Sequence, residues 1–309
     1  MIINYIQYDD PTNVYTAIQY PAGELQVRIK PEYADEIELA QTITIRARLT
    51  DVNGMLNSNI IGLLQLTDAI RGLNPKAALS LHLPYLPYSR GDRRFTVGDC
   101  HGLGVFGDIL RHKFDQVVTL DVHHLHRAFM HVDHLVNIQP VSLIQDAIKK
   151  FATRTKSEKI TVLFPDAGAV KRYPAEIFTG HQILHAEKCR DKTTGEFKTF
   201  VVPTSALFET ESVLIVDDIC DGGGTFIGIS KALLNRRFVP RQGLYVTHGI
   251  FSKGFSELNS HFEAVYATDS VLPDDYLRTL SNRIEVHSAF DALVNPVNTP
   301  SIVGVGRAV

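Results

Sequence analysis

The segment Val213-Leu-Ile-Val-Asp217-Asp218-Ile-Cys-Asp221-Gly222-Gly223-Gly224-Thr225 carries the clearest chemistry in the chain. An apolar run ends in two adjacent carboxylates. A third carboxylate and three glycines follow, and Thr225 opens an apolar periodic stretch. This pattern predicts a buried strand over Val213–Asp217, a tight loop, and a helix over Thr225–Arg236. Glycines at a helix start let backbone N–H groups close on a phosphate, which the helix dipole also favours. The carboxylates repel a phosphate and suit sugar hydroxyls or a hydrated cation. Together they point to a sugar phosphate. A plain strand–turn–helix with a solvated acidic turn is the alternative.

The elements that must position this segment alternate along the chain. Strands are expected at Thr42–Ala47, Ala77–Leu83, Val117–Asp121, Ile160–Pro165, Gln182–Ala186 and Leu244–Thr247, and helices at Leu56–Arg71, Leu103–His112, Val141–Phe151 and Val170–Phe178. The alternation predicts an α/β fold with mainly parallel sheets. Val136–Pro140 is the expected boundary between domains 1–139 and 140–309, Pro140 opening a helix. Asp191–Glu196 is expected to be a turn or flexible loop, and the tail from Asn295 a loose terminus.

The whole-chain properties narrow the field. The 309 residues allow one large or two medium domains, and 44% hydrophobic with 21% charged residues is ordinary for a globular protein. A net charge of −3 argues against general nucleic-acid binding. No apolar run reaches the roughly 20 residues of a membrane span, and the start has no signal-peptide pattern. Cys100, Cys189 and Cys220 form no framework and fit a reducing cytoplasm.

Four further clusters bear on phosphate chemistry. Arg90, Arg93 and Arg94 in Tyr88-Ser-Arg90-Gly91-Asp92-Arg93-Arg94 follow a strand end and could clamp phosphates, or form a surface basic turn. Asp121-Val-His123-His124, with His126, His131 and His134, looks like a zinc site but has neither HExxH spacing nor a cysteine partner. Asp166, in Phe164-Pro-Asp166-Ala-Gly168, sits at an expected strand end as a site carboxylate or a helix N-cap. Lys188 and Arg190 alternate, so an extended backbone would turn both to one side, fitting a migrating phosphoryl group or a solvated strand face. Gly102-Leu-Gly104-Val-Phe-Gly107 fits GxGxxG, but no strand precedes it, so helix-opening glycines are the better reading. The chain has no GxxxxGK[ST].

These motifs, in this order, resemble the ribose-phosphate pyrophosphokinase (PRPP synthetase) family, from about Gln19 to Ser270. The glycine loop is similar to the loop of type I phosphoribosyltransferases and PRPP synthetases. Leu83–Arg94 is similar to the family's Pro-Tyr-x-x-Tyr-Ala-Arg-Gln-Asp-Arg, His123 falls on the His of Asp-Leu-His-Ala, and the Asp166 segment resembles Ser-Pro-Asp-x-Gly-x-x-x-Arg. Lys188 and Arg190 fall on the Lys-x-Arg of the catalytic loop, and Tyr20-Pro-Ala-Gly23-Glu24 resembles a Phe-Ser-Asp-Gly-Glu turn that touches adenine in a neighbouring subunit.

The resemblance implies two phosphoribosyltransferase-type domains and a dimer-based homo-oligomer, up to a hexamer. It implies that ATP, with Mg2+, gives its diphosphoryl group to the C1 hydroxyl of ribose 5-phosphate, yielding PRPP and AMP. Asp217 and Asp218 would hold ribose hydroxyls, and Asp221, Gly222, Gly223, Gly224 and Thr225 the 5-phosphate. Tyr20, Glu24, Arg90, Asp92, Arg93 and His123 would bind ATP, His123 and Asp166 magnesium, and Lys188 and Arg190 the transferring group. The family usually has Asp-Thr-x-Gly-Thr where this chain has Asp221-Gly-Gly-Gly-Thr225. With Gly91 and Ala22, this makes a larger acceptor such as ADP-ribose conceivable, in NAD metabolism. A PRPP-consuming phosphoribosyltransferase would not need the ATP-side motifs, and a non-catalytic relative would be expected to lose Lys188, Arg190 or the loop acids.

Overall fold

A computed structural model describes residues 1–6, 12–50, 54–190, 197–203, 212–234, 240–294 and 301–303. The expected loop at Asp191–Glu196 lies outside the described residues. The chain divides into two compact units, the first built mainly from Met1–Ile138 and the second from Gln139–Ser288.

The first unit contains β1 (Ile2–Tyr5), β2 (Tyr15–Gln19), β3 (Leu25–Ile29), α1 (Ala34–Leu39), β4 (Thr42–Ala47), α2 (Leu56–Leu73), β5 (Ala78–His82), α3 (Gly102–Leu110), β6 (Gln116–Leu120), α4 (Leu125–His131) and β7 (Leu135–Ile138). Strands β1, β4, β5, β6 and β7 pair in that order, all parallel. Ile43, Ile45, Leu79 and Leu81 are fully buried on this sheet and alternate with less buried residues along β4 and β5. The hairpin β2–β3 is held to α2 by Gln65, which accepts from Val27 N–H (2.9 Å) and donates to Leu25 O (2.6 Å).

The second unit contains α5 (Val141–Thr155), β8 (Thr161–Phe164), α6 (Ala167–Val170), β9 (Gln182–His185), β10 (Glu187–Arg190), β11 (Phe197–Val201), β12 (Ser212–Cys220), α7 (Gly224–Leu234), β13 (Arg241–Gly249), α8 (Ser256–His261), β14 (Ala264–Thr268), α9 (Asp274–Leu280) and β15 (Ile284–His287). Its sheet runs β15-β14-β13-β12-β8-β9, all parallel, and β10 pairs antiparallel with β11. The chain then returns to the first unit with α10 (Ala289–Val294), where Arg48 stacks 5.8 Å over the Phe290 ring, and with β16 (Ser301–Val303).

Three sequence expectations change. The tail is not wholly loose, because β16 pairs antiparallel with β7. The helix expected over Val170–Phe178 is broken: α6 ends at Val170, and Pro174, with no N–H to give, separates it from a 3-10 turn at Ala175–Phe178. Strand β12 continues past Asp217 to Cys220, because its ladder with β13 runs on through Ile219↔His248 and Cys220↔Gly249.

Candidate active site

In the second unit, the Asp217–Thr225 segment lies at the carboxyl end of β12, where ligands collect in open α/β sheets. Val213, Leu214, Ile215 and Val216 are fully buried and fix the strand. Asp217 and Asp218 therefore stand on the strand itself rather than in the loop. Asp218 is 2% exposed and Asp217 half-buried. Arg172, just past α6, joins them: its Nη1 ion-pairs with Asp218 and lies 3.6 Å from Asp217 Oδ1. Burial and then the Asp218 charge push the Asp217 carboxyl well above its ordinary range, with Arg172 opposing.

Beyond the strand, Asp221 is exposed but engaged. Its carboxylate accepts the Ser252 hydroxyl at 2.6 Å and its carbonyl accepts Ser252 N–H at 3.2 Å. Cys220 O accepts Ile250 N–H (2.8 Å) and Phe251 N–H (3.2 Å), so the loop after β13 is tied along the glycine loop. Gly223 adopts φ +76°, a conformation that favours glycine, and its carbonyl accepts Ile227 N–H at 3.0 Å as α7 begins. Thr225 is half-buried in the first turn of α7. The backbone N–H groups of this turn are unused by the helix ladder and are the kind of donors that an anion takes.

Gly222 does not leave open space. A Cβ there would lie 3.0 Å from Lys253 Cδ, so the Lys253 stem fills the volume that the sequence alone left vacant.

Lys188 is exposed on β10, opposite Phe200 of β11. Phe200 is buried against α7, where a Cβ on Gly228 would meet its ring at 2.8 Å. The ribbon carrying Lys188 thus rests on the helix whose start carries these donors. Arg190 pairs with Phe197 after a register shift, and its side chain lies outside the described residues. Asp166 is exposed at the end of β8, where Oδ1 accepts Gly168 N–H (2.9 Å) and Ala169 N–H (3.0 Å). It is an N-cap, whatever else it binds.

The residues expected to bind ATP belong to the first unit. Arg90 and Arg93 are exposed, with Arg93 stacked 4.7 Å over the Phe95 ring. Asp92 is buried and paired with Arg127 (2.9 Å). His101 accepts Gly104 N–H at Nδ1 and meets Asp92 O through Nε2, both at 2.8 Å, so it caps α3 and braces the arginine loop. Asp121 takes φ +46° at the end of β6, and His123 follows it half-buried. Tyr20 and Glu24 sit on the exposed β2–β3 turn, closed by Tyr20 N–H to Glu24 O (2.8 Å) with Gly23 at φ +91°. The GxGxxG glycines are packing residues: a Cβ on Gly107 would stand 2.0 Å from His131 O.

Among the described residues, no group of three or more His, Cys, Asp or Glu gathers as a metal cage. Magnesium is usually held by one or two carboxylates, waters and substrate phosphates, and the exposed Asp166 fits that mode.

A scan against protein-family models finds no match. Among curated proteins, the chain is 30% identical to a ribose-phosphate pyrophosphokinase of Saccharolobus solfataricus over 217 residues, covering 69% of this chain and 68% of that protein. The chain belongs to the ribose-phosphate pyrophosphokinase family. It is also 29% identical to the Methanopyrus kandleri protein of that name over 259 residues, covering 82% of each. A crystal structure of phosphoribosylpyrophosphate synthetase from Mycobacterium smegmatis shares the fold, with a TM-score of 0.74 at 18% identity, covering 96% of this chain and 97% of that one.

Arg172, Ser252 and Lys253 were not assigned roles from sequence. Arg172 falls on the Arg of the Ser-Pro-Asp-x-Gly-x-x-x-Arg pattern, so its charge is a signal in the sequence. Ser252 and Lys253 gave none, because their partners lie on another strand's loop.

Proposed function

We propose that the protein transfers the β,γ-diphosphoryl group of Mg-ATP to the C1 hydroxyl of ribose 5-phosphate. The hydroxyl oxygen bonds to the β-phosphorus, the bond to the α,β-bridging oxygen breaks, AMP leaves with that oxygen, and the hydroxyl proton passes to solvent. The observation that carries this reading is the run of strand acids Asp217 and Asp218 into a glycine cradle at the start of α7. It offers acceptors for ribose hydroxyls beside N–H donors for a phosphate. Positioning and charge neutralisation dominate such chemistry.

In this reading Lys188 and Arg190 neutralise the moving phosphoryl charge, while Arg90, Arg93, Asp92 and His123 serve ATP. Asp166 would bind magnesium directly or through water, as would His123 on the first unit, and the ion when bound would neutralise triphosphate oxygens. The exposed Tyr20–Glu24 turn serves a neighbouring subunit's nucleotide in a homo-oligomer. Light scattering that finds a fully active monomer would refute shared sites. Free Cys100, Cys189 and Cys220 fit a reducing cytoplasm, and no helix among the described residues is long and apolar enough to cross a membrane.

A second reading, diphosphoryl transfer to ADP-ribose, is favoured by the Lys253 stem that lies across Gly222 and adds a cation beside the loop. The test is incubation with Mg-ATP and either acceptor, with products identified by mass. AMP and a diphosphorylated acceptor are expected. Stoichiometric ADP would overturn diphosphoryl transfer.

A further inference from the structure

Gly222 is not in the left-handed region, so its backbone would accept a side chain. The volume where one would begin is taken by Lys253, whose Cδ, Cγ and Cε lie 3.0, 3.1 and 3.2 Å from an ideal Cβ. The lysine is set there by its loop. Buried Phe251 holds φ +50°, its ring packs 4.5 Å from Phe255, and Gly254 turns at φ +69° with its N–H on Phe251 O (2.8 Å). Ser252 bonds twice to Asp221, from its hydroxyl (2.6 Å) and from its N–H (3.2 Å). The stem is thus laid along the rim of the phosphate cradle.

Lys253 is exposed, and among the described residues no hydrogen bond or ion pair engages its ammonium. Holding a lysine stem against backbone costs side-chain entropy, and an anion bound at the rim would offset it. A threonine at 222 would offer a short hydroxyl to the phosphate inside the cradle. Lys253 offers instead a point charge on a four-carbon stem. A phosphomonoester ends inside the cradle, whereas a diphosphate ester continues outward.

We propose that Lys253 is the acceptor-specificity residue, its ammonium taking the outer phosphate of a ribose esterified at its 5-position through a diphosphate. This rests on the diphosphoryl-transfer reading above and decides between its two acceptors.

The test compares wild type, Lys253→Met and Lys253→Arg in the full chain. Binding of ADP-ribose and of ribose 5-phosphate is measured by calorimetry without ATP, and AMP release is measured with Mg-ATP. Lys253→Met keeps the stem and should weaken ADP-ribose binding about tenfold or more, while ribose 5-phosphate changes less than about threefold. Lys253→Arg should retain most of the affinity. The double variant Gly222→Thr with Lys253→Gly should shift the kcat/KM ratio toward ribose 5-phosphate.

Equal ADP-ribose affinity in Lys253→Met and wild type, or an equal loss for both acceptors, would overturn the inference while leaving diphosphoryl transfer intact. A wild type that binds ADP-ribose through Lys253 yet releases no AMP would overturn the transfer reading and keep Lys253 as a diphosphate ligand. Failure of the wild type to bind either acceptor would overturn the inference.

Discussion

Arg172 and Asp218 form an ion pair at the carboxyl end of β12, with Asp218 2% exposed and Arg172 20% exposed. The same guanidinium reaches Asp217 at 3.6 Å. One cation therefore holds both acids assigned to the ribose hydroxyls. Removing it would leave a buried carboxylate uncompensated, which typically costs about 3–5 kcal/mol. Arg172→Ala is expected to lower the melting temperature sharply and to abolish activity. Arg172→Lys should recover part of the stability by thermal melting, because it keeps the charge. An Ala variant as stable as wild type would mean that the acids are neutral in the native state.

Asp217 carries a cost that its neighbour does not remove. Burial and the Asp218 charge raise its folded-state pKa, whereas the unfolded chain has the ordinary carboxylate value. Between those two values the folded chain holds a proton that the unfolded chain has released. Stability therefore falls as pH rises through that window. Asp217→Asn should remove this slope. Near neutral pH it should raise the melting temperature by roughly 2–4 °C for each kcal/mol relieved. Activity should be lost, because an amide is a weaker partner for a ribose hydroxyl than a carboxylate. A variant that melts lower than wild type across the pH range would show that the carboxylate stabilises the fold.

Much of this arrangement was legible in the sequence. The strand at Thr42–Ala47 was placed to the residue, because Ile43, Ile45 and Ala47 alternate with polar residues at the period of a strand. Asp217, Asp218 and the glycine loop could be read because their chemistry is contiguous. Three things could not be read, and each is non-local. The length of β12 is set by its ladder with β13. Ser301–Val303 pairs with β7, a strand far back in the chain. The space at Gly222 is filled by Lys253, from a loop beyond the next strand. Spacing within a motif reports neighbours in sequence, and these contacts are neighbours only in space. The helix break at Pro174 is different in kind: its signal was present in the sequence and was outweighed by apolar periodicity.

Asp92 tests how far a motif position implies ligand contact. Its carboxylate is buried against Arg127 at 2.9 Å, and its carbonyl is bonded to the His101 ring. This makes it a brace for the exposed arginine loop. Asp92→Asn is expected to lower stability and to raise the KM for ATP through disorder of Arg90 and Arg93, with kcat nearly unchanged. Arg127→Ala should reproduce the effect. A raised KM with unaltered thermal stability would instead indicate that Asp92 meets the nucleotide directly.

Lys188 and Arg190 differ from the ribose-side acids because their importance should appear only when charge moves. Lys188 is exposed on β10, a strand of a ribbon that rests on α7 through Phe200. An exposed lysine contributes little to folding, so Lys188→Ala should melt like wild type. Loss of a preorganised donor to a transition state typically costs about 2.7–4 kcal/mol, or about 10²–10³ in rate. Lys188→Ala and Arg190→Ala should therefore lower kcat by that order while KM for either substrate changes little. Phe200→Ala offers a control in which Lys188 remains but its ribbon loses its support on α7. It should lower kcat as well, through misplacement, and Lys188→Ala in that background should cost less than it does alone. Near-normal kcat in Lys188→Ala would make the residue a solvated strand charge and would remove it from the proposed mechanism.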